Sequence, residues 1–176
     1  MQGFISKHVA VVSLASILIL IFAVPSCFAQ EGTEVAGKIT AAFTDQKNVE
    51  IGDVEGHVLS FATSEGTNAS AGKNIFMDGA QVLNNSMGDL VKGSGPQHGY
   101  LKISKANDAI FVKWEHATTT VLSETGMPVT TFGGTFTYIG GTGQFVNIKG
   151  GGTFKGAFVS KTEYTVDWEG RYLIGK

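Results

Sequence analysis

The sequence predicts an all-β chain: a single antiparallel barrel of roughly eight strands over residues 30–176, behind an N-terminal signal peptide at residues 1–29. Three observations carry this. Beyond the leader, apolar and polar residues alternate with a period of two, and no stretch shows the 3.6-residue period of an amphipathic helix. Of the 24 glycines, against three prolines, all but Gly3 fall between and within these alternating runs, as turn and bulge residues do, and not in one flexible tract. The segment from Glu163 to Tyr172 is the clearest strand. Its even positions are Tyr164, Val166, Trp168, Gly170 and Tyr172, and its odd positions are Glu163, Thr165, Asp167, Glu169 and Arg171. Successive side chains on a strand point to opposite faces, so one face is aromatic and the other charged.

Taken in order, the chain opens with Lys7 and His8, an apolar run from Val9 to Val24, and the small-residue stretch ending Cys27-Phe28-Ala29. A basic start, an apolar run of about 16 residues and a small-x-small site describe a cleaved secretory leader. The run is short for a membrane span, which needs about 20 apolar residues. Export to the periplasm or the extracellular space is expected, with lipid anchoring through Cys27 as the alternative, because Val24-Pro25-Ser26-Cys27 loosely matches a lipobox. Strands are then predicted at residues 34–43, 54–63, 74–83, 87–92, 100–104, 109–119, 128–139, 144–148, 152–160 and 163–174, some of which merge with their neighbours. Gly133-Gly134-Thr135-Phe136 recurs as Gly151-Gly152-Thr153-Phe154, which fits successive hairpins with turns near Gly140–Gly143 and Lys161-Thr162. Closure into a barrel is favoured because an open sheet would leave pairing-competent edges.

Composition excludes several functions. The single cysteine lies in the leader, so the exported domain has no disulfide, thiolate metal site or cysteine nucleophile. A net charge of −2 with no basic stripe, and Arg171 as the one arginine, argues against nucleic acid as a partner. Gly141-Thr142-Gly143 precedes no helix and so is no phosphate cradle. No Gly-x-Ser-x-Gly elbow is present. Asn68-Ala69-Ser70 and Asn84-Asn85-Ser86 match the glycosylation acceptor pattern.

Gly140-Gly141-Thr142-Gly143-Gln144-Phe145, then Ile148-Lys149-Gly150 and Gly152-Thr153-Phe154-Lys155-Gly156, resemble the allene oxide cyclase and dirigent-like barrels. The ending from Tyr164 to Tyr172 is similar to the closing strand of bacterial members of that group. The resemblance covers roughly the last 45 residues well and implies an eight-stranded, calycin-like antiparallel barrel with a cavity. Plant members of the group are often trimeric, and they cyclise an unstable fatty-acid epoxide or steer radical coupling of phenolics. The matching motifs are structural turns. The pocket glutamate of the cyclases and the aspartates and arginine of the dirigent proteins have no aligned counterpart here, so none is carried over.

The charged face of the last strand is the candidate catalytic set: Glu163, Asp167, Glu169 and Arg171. If that face lines the barrel, confinement raises a carboxylate's pKa and suits it to acid–base work. If it faces solvent, Tyr164 and Trp168 turn inward and, with Trp114, Phe136 and Phe154, form the core or a ligand-binding surface. On the strand carrying Trp114, His116 lies at the end, where a surface role is expected. Glu55 and His57 share a face as a base or metal pair, but with no third ligand at a recognisable spacing no metal is expected. No cofactor is implied, and self-association as a dimer or trimer is open. The function expected first is binding of a small hydrophobic or aromatic molecule. The alternatives are an isomerase or cyclase steering a reactive apolar substrate with pocket carboxylates, and a structural surface protein without a ligand.

Overall fold

The computed structural model describes residues 32–176, and the leader, with Cys27, lies outside them. Eight strands follow one another: β1 (Thr33–Glu50), β2 (His57–Ala71), β3 (Ala80–Val91), β4 (Gly95–Lys105), β5 (Asp108–Leu122), β6 (Pro128–Thr142), β7 (Ile148–Phe158) and β8 (Glu163–Ile174). Each pairs antiparallel with the next, and β8 pairs with β1 from Thr33↔Tyr172 to Ala42↔Glu163, closing the barrel. No described helix is long and apolar enough to cross a membrane. The outer face carries Lys38, Glu65, Lys102, Lys113, Glu115, Lys155, Asp167 and Glu169, while the interior is apolar. That polarity is the reverse of a lipid-facing barrel.

The eight-stranded closed barrel is as expected, with the ten short segments merging into eight strands. Two of the expected boundaries are corrected. The strand expected at 74–83 starts only at Ala80, because Ile75-Phe76-Met77 forms a loop that turns Phe76 and Met77 into the barrel end and leaves Ile75 exposed. The turn expected at Gly140–Gly143 and the strand expected at 144–148 are replaced by a longer β6, which runs through Thr142. A 3-10 turn at Gly143–Phe145 then leads into β7 at Ile148.

Large interior side chains lie over glycines on the paired strand. Trp168 sits opposite Gly37, and a Cβ placed on Gly37 would come within 2.6 Å of the indole. Trp114 sits opposite Gly99, where a Cβ would come within 2.5 Å. Phe132 faces Gly156, and Phe136 faces Gly152. Alternating large with small across neighbouring strands lets aromatic rings lie flat in a narrow tube without forcing the backbones apart.

The two ends differ. At one end the loop between β2 and β3 inserts Phe76, only 2% exposed, against Tyr138, Phe145, Trp168 and Tyr172. Asn68 fixes that plug: its Nδ2 donates to the carbonyls of Phe76 at 3.1 Å and Met77 at 2.9 Å, and its Oδ1 accepts from Trp168 Nε1 at 2.9 Å. Met77 takes a left-handed φ of 49°, which those bonds hold in place. At the other end the interior side chains Phe43, Ser86, Gln97, Phe132 and Phe158 are only half-buried. A bulge between Phe43 and Asp45 re-aims β1 there, and the β1–β2 hairpin continues outward past the rim. The barrel is stoppered at one end and open at the other.

Candidate functional site

Between plug and mouth lies a cavity of about 110 Å³. Trp114, Phe136, Phe154, Tyr164 and Trp168, the five ligand-binding candidates, all line it, alongside Ile39, Leu101, Val112 and Val166. Among the described residues, none that lines it is Asp, Glu, Lys or Arg. The aromatic face of β8 points in and the charged face points out.

The four catalytic candidates therefore stand on the outer surface, and the expectation that they work in a confined space is corrected. Glu163, Asp167, Glu169 and Arg171 are exposed. Asp167 accepts from Lys38 Nζ at 3.2 Å across the β1–β8 pair, and Arg171 is paired with Glu34 on the same two strands. Asp167 and Arg171 serve as cross-strand partners on a solvated face, where such pairs contribute little. The period of two placed them together on one face. It could not say which face turns inward.

Glu55 and His57 do not act as a pair either. Glu55 accepts from Lys92 Nζ at 2.9 Å, whereas His57 bridges two aspartates, Asp53 at 2.5 Å and Asp89 at 2.7 Å. Hydrogen bonding to Asp89, then to Asp53, raises the His57 pKa, and the bond to His57 lowers that of Asp53. This clasp ties the β1–β2 hairpin to β3 outside the barrel.

Polar groups inside the cavity are few and nearly all matched. Trp114 Nε1 donates to Asn84 Oδ1 at 2.8 Å, and Asn84 Nδ2 reaches Ser64 Oγ at 3.3 Å and Tyr164 Oη at 3.4 Å. Ser64 and Tyr164 share a 2.6 Å hydrogen bond. Burial, only partly offset by these bonds, raises the Tyr164 pKa and keeps the phenol neutral. Asn68 and Asn84, the asparagines of the two glycosylation motifs, are thus interior, with their amides engaged, and neither is an acceptor in the folded barrel.

Sequence reasoning misplaced one residue of the cavity. His116, expected at the surface, lies inside, stacked between Trp114 at 4.9 Å and Phe132 at 5.0 Å, with Phe154 edge-on at 5.7 Å. Its Nε2 meets Thr118 Oγ1 at 3.0 Å, which in turn accepts from Gln97 Nε2 at 2.9 Å. Among the described residues its Nδ1 has no partner, and neither has the buried hydroxyl of Tyr138. Burial pushes the His116 imidazole down to about 4 and the Tyr138 phenol above its ordinary value, the latter aided by Tyr172. The signal for His116 was its position in the series Val112, Trp114, His116, Thr118, which continues the inward face of β5.

The cavity can hold an apolar ring among aromatic faces and edges, and it offers a neutral imidazole to a polar atom of that ligand. No family model matches the chain. No curated protein matches it either. Among solved structures the chain is similar to one described as pyocyanin demethylase, at 15% identity over 76% of this chain and 99% of that chain, with a TM-score of 0.41.

Proposed function

We propose that this barrel binds a small hydrophobic or aromatic molecule in its interior, entering at the half-buried mouth and stopping at the Phe76 plug. The single observation that supports this is a void of about 110 Å³ walled by aromatic and aliphatic side chains in an otherwise packed interior. Protein interiors close-pack, and leaving such a space costs stability unless an occupant restores the lost contacts. Export to the periplasm or outside the cell belongs to the same reading and rests on the leader pattern. Kinship with the allene oxide cyclase and dirigent-like barrels rests on the Gly140–Gly156 turn motifs and the eight-stranded closure. Self-association is also part of it, supported by a band of exposed apolar side chains on β2 to β5 that includes Phe61, Leu83, Met87, Tyr100 and Phe111. The steering isomerase has no lining carboxylate to carry it, and a ligand-free structural role leaves the void unexplained.

A thermal-shift panel of small apolar and aromatic compounds tests this. A ligand that binds only the folded state stabilises it by about 2.7 kcal/mol at a free concentration of 100 times Kd, several degrees in Tm. At least one compound should raise Tm in a saturable way, and Leu101→Phe, which fills the void, should abolish the rise. No shift with any compound would overturn the reading.

A further inference from the structure

The interior polar groups near the mouth form a chain with a defined direction. Gln97 Nε2 donates to Thr118 Oγ1, so the hydroxyl keeps its own single proton to give. Besides Gln97, its partner at hydrogen-bond distance is His116 Nε2 at 3.0 Å. Giving that proton to Nε2 satisfies both groups at once, and it places the proton of the neutral imidazole on Nδ1. Nδ1–H is then a buried donor with no acceptor among the described residues, in a ring clamped between Trp114 and Phe132. A buried donor without a partner is costly, and a site built around one discriminates strongly between ligands that satisfy it and ligands that do not.

The surroundings restrict the ligand further. With no charged lining residue, the cavity offers nothing to neutralise an ion, so a carboxylate or an ammonium would be desolvated without compensation. At about 110 Å³ the cavity is smaller than the apolar cavities of about 150 Å³ that take benzene, which limits the ligand to no more than a single ring inside the barrel.

We propose that His116 Nδ1–H is the recognition point of the cavity, and that its ligand is an uncharged single-ring aromatic molecule carrying a hydrogen-bond acceptor, such as an aryl ketone or aldehyde. This rests on the cavity-binding reading above. It extends that reading by naming the donor, the ligand's polarity and its charge.

Calorimetric titration with three probes tests it: acetophenone, ethylbenzene of nearly the same shape without the acceptor, and benzoate with a charge. Acetophenone should bind roughly tenfold or more tighter than ethylbenzene and benzoate. In His116→Phe, which keeps a ring in the stack and removes the donor, the advantage over ethylbenzene should fall to about onefold. Equal binding of acetophenone and ethylbenzene by the native protein would overturn the acceptor proposal while leaving the cavity reading intact. An advantage that survives His116→Phe would do the same, and benzoate binding as tightly as acetophenone would overturn the requirement for an uncharged ligand. Failure of both neutral probes would sink the proposal and count against the cavity reading together. Imidazole ¹⁵N shifts give a readout that needs no variant. Nδ1 should be the protonated nitrogen and should shift with acetophenone but not with ethylbenzene, and a proton on Nε2 would contradict the proposal.

Discussion

His116 shows how one residue's surroundings set its chemistry. An imidazole ordinarily titrates near 6.5, but here it is packed against Trp114, Phe132 and Phe154 with no carboxylate among the cavity-lining residues to favour its charge. Burial carries it to about 4. Between those values the unfolded chain binds a proton that the folded barrel refuses, so stability falls as the pH drops from about 6.5 towards 4. The expected loss is roughly 1–3 kcal/mol, discounted for the ring's partial exposure. Urea denaturation across that range should show it, and His116→Phe should remove that part of the slope. A slope unchanged in the variant would mean that the ring is solvated. The residue was hard to place from sequence because a histidine next to Thr118, Thr119 and Thr120 looks like a strand end, whereas β5 continues to Leu122 and keeps His116 on its inward face.

At the scale of elements, β8 was legible because its two faces differ in kind, and its bounds were read correctly from Glu163 to Ile174. β2 and β3 were not, because their polarity is partly inverted. Ser64, Asn68 and Asn84 point inward, while Phe61, Leu83 and Met87 are exposed. Interior amides that fix a plug and a tryptophan cannot be told from solvated ones by alternation alone. The loop holding Phe76 misled for the opposite reason, since its apolar run supplies a stopper and not a strand. The β1–β2 hairpin makes a prediction of its own. The His57 clasp is complete while the imidazole is protonated and Asp53 and Asp89 are ionised. Because the His57 pKa is raised, the clasp's contribution is fully present below the ordinary histidine value and is lost as the pH climbs through the raised one. Amide protection factors for residues 45–50 and 57–62, corrected for intrinsic exchange, should fall across that upper range. Asp89→Asn should lower them at the outset and blunt the transition. Protection that is flat with pH in both proteins would show that the clasp does not hold the hairpin.

The whole molecule joins three features that would each be unremarkable alone: a closed sheet, a stopper at one end and a void behind an open mouth. Closure removes the edges that an open sheet of these strands would expose. The glycines opposite Trp114, Trp168, Phe132 and Phe136 let a narrow barrel carry large aromatics, and the Phe76 plug, fixed by Asn68, shuts one end. What remains is an aromatic cup in which, among the described residues, His116 Nδ1 and the Tyr138 hydroxyl are the buried polar atoms without a partner. The alternation and the glycine spacing made the barrel readable. The cup was not readable, because it depends on which face turns inward, on a loop folding back into the end, and on how completely the side chains fill the centre. Crystals of the protein pressurised with xenon give the most direct measurement of that centre. An apolar void should hold an ordered xenon atom among Val112, Trp114, Phe136 and Phe154, with the barrel unchanged around it. A barrel interior without xenon density, its side chains closed over the space, would contradict the claim that this protein is built to receive a ligand.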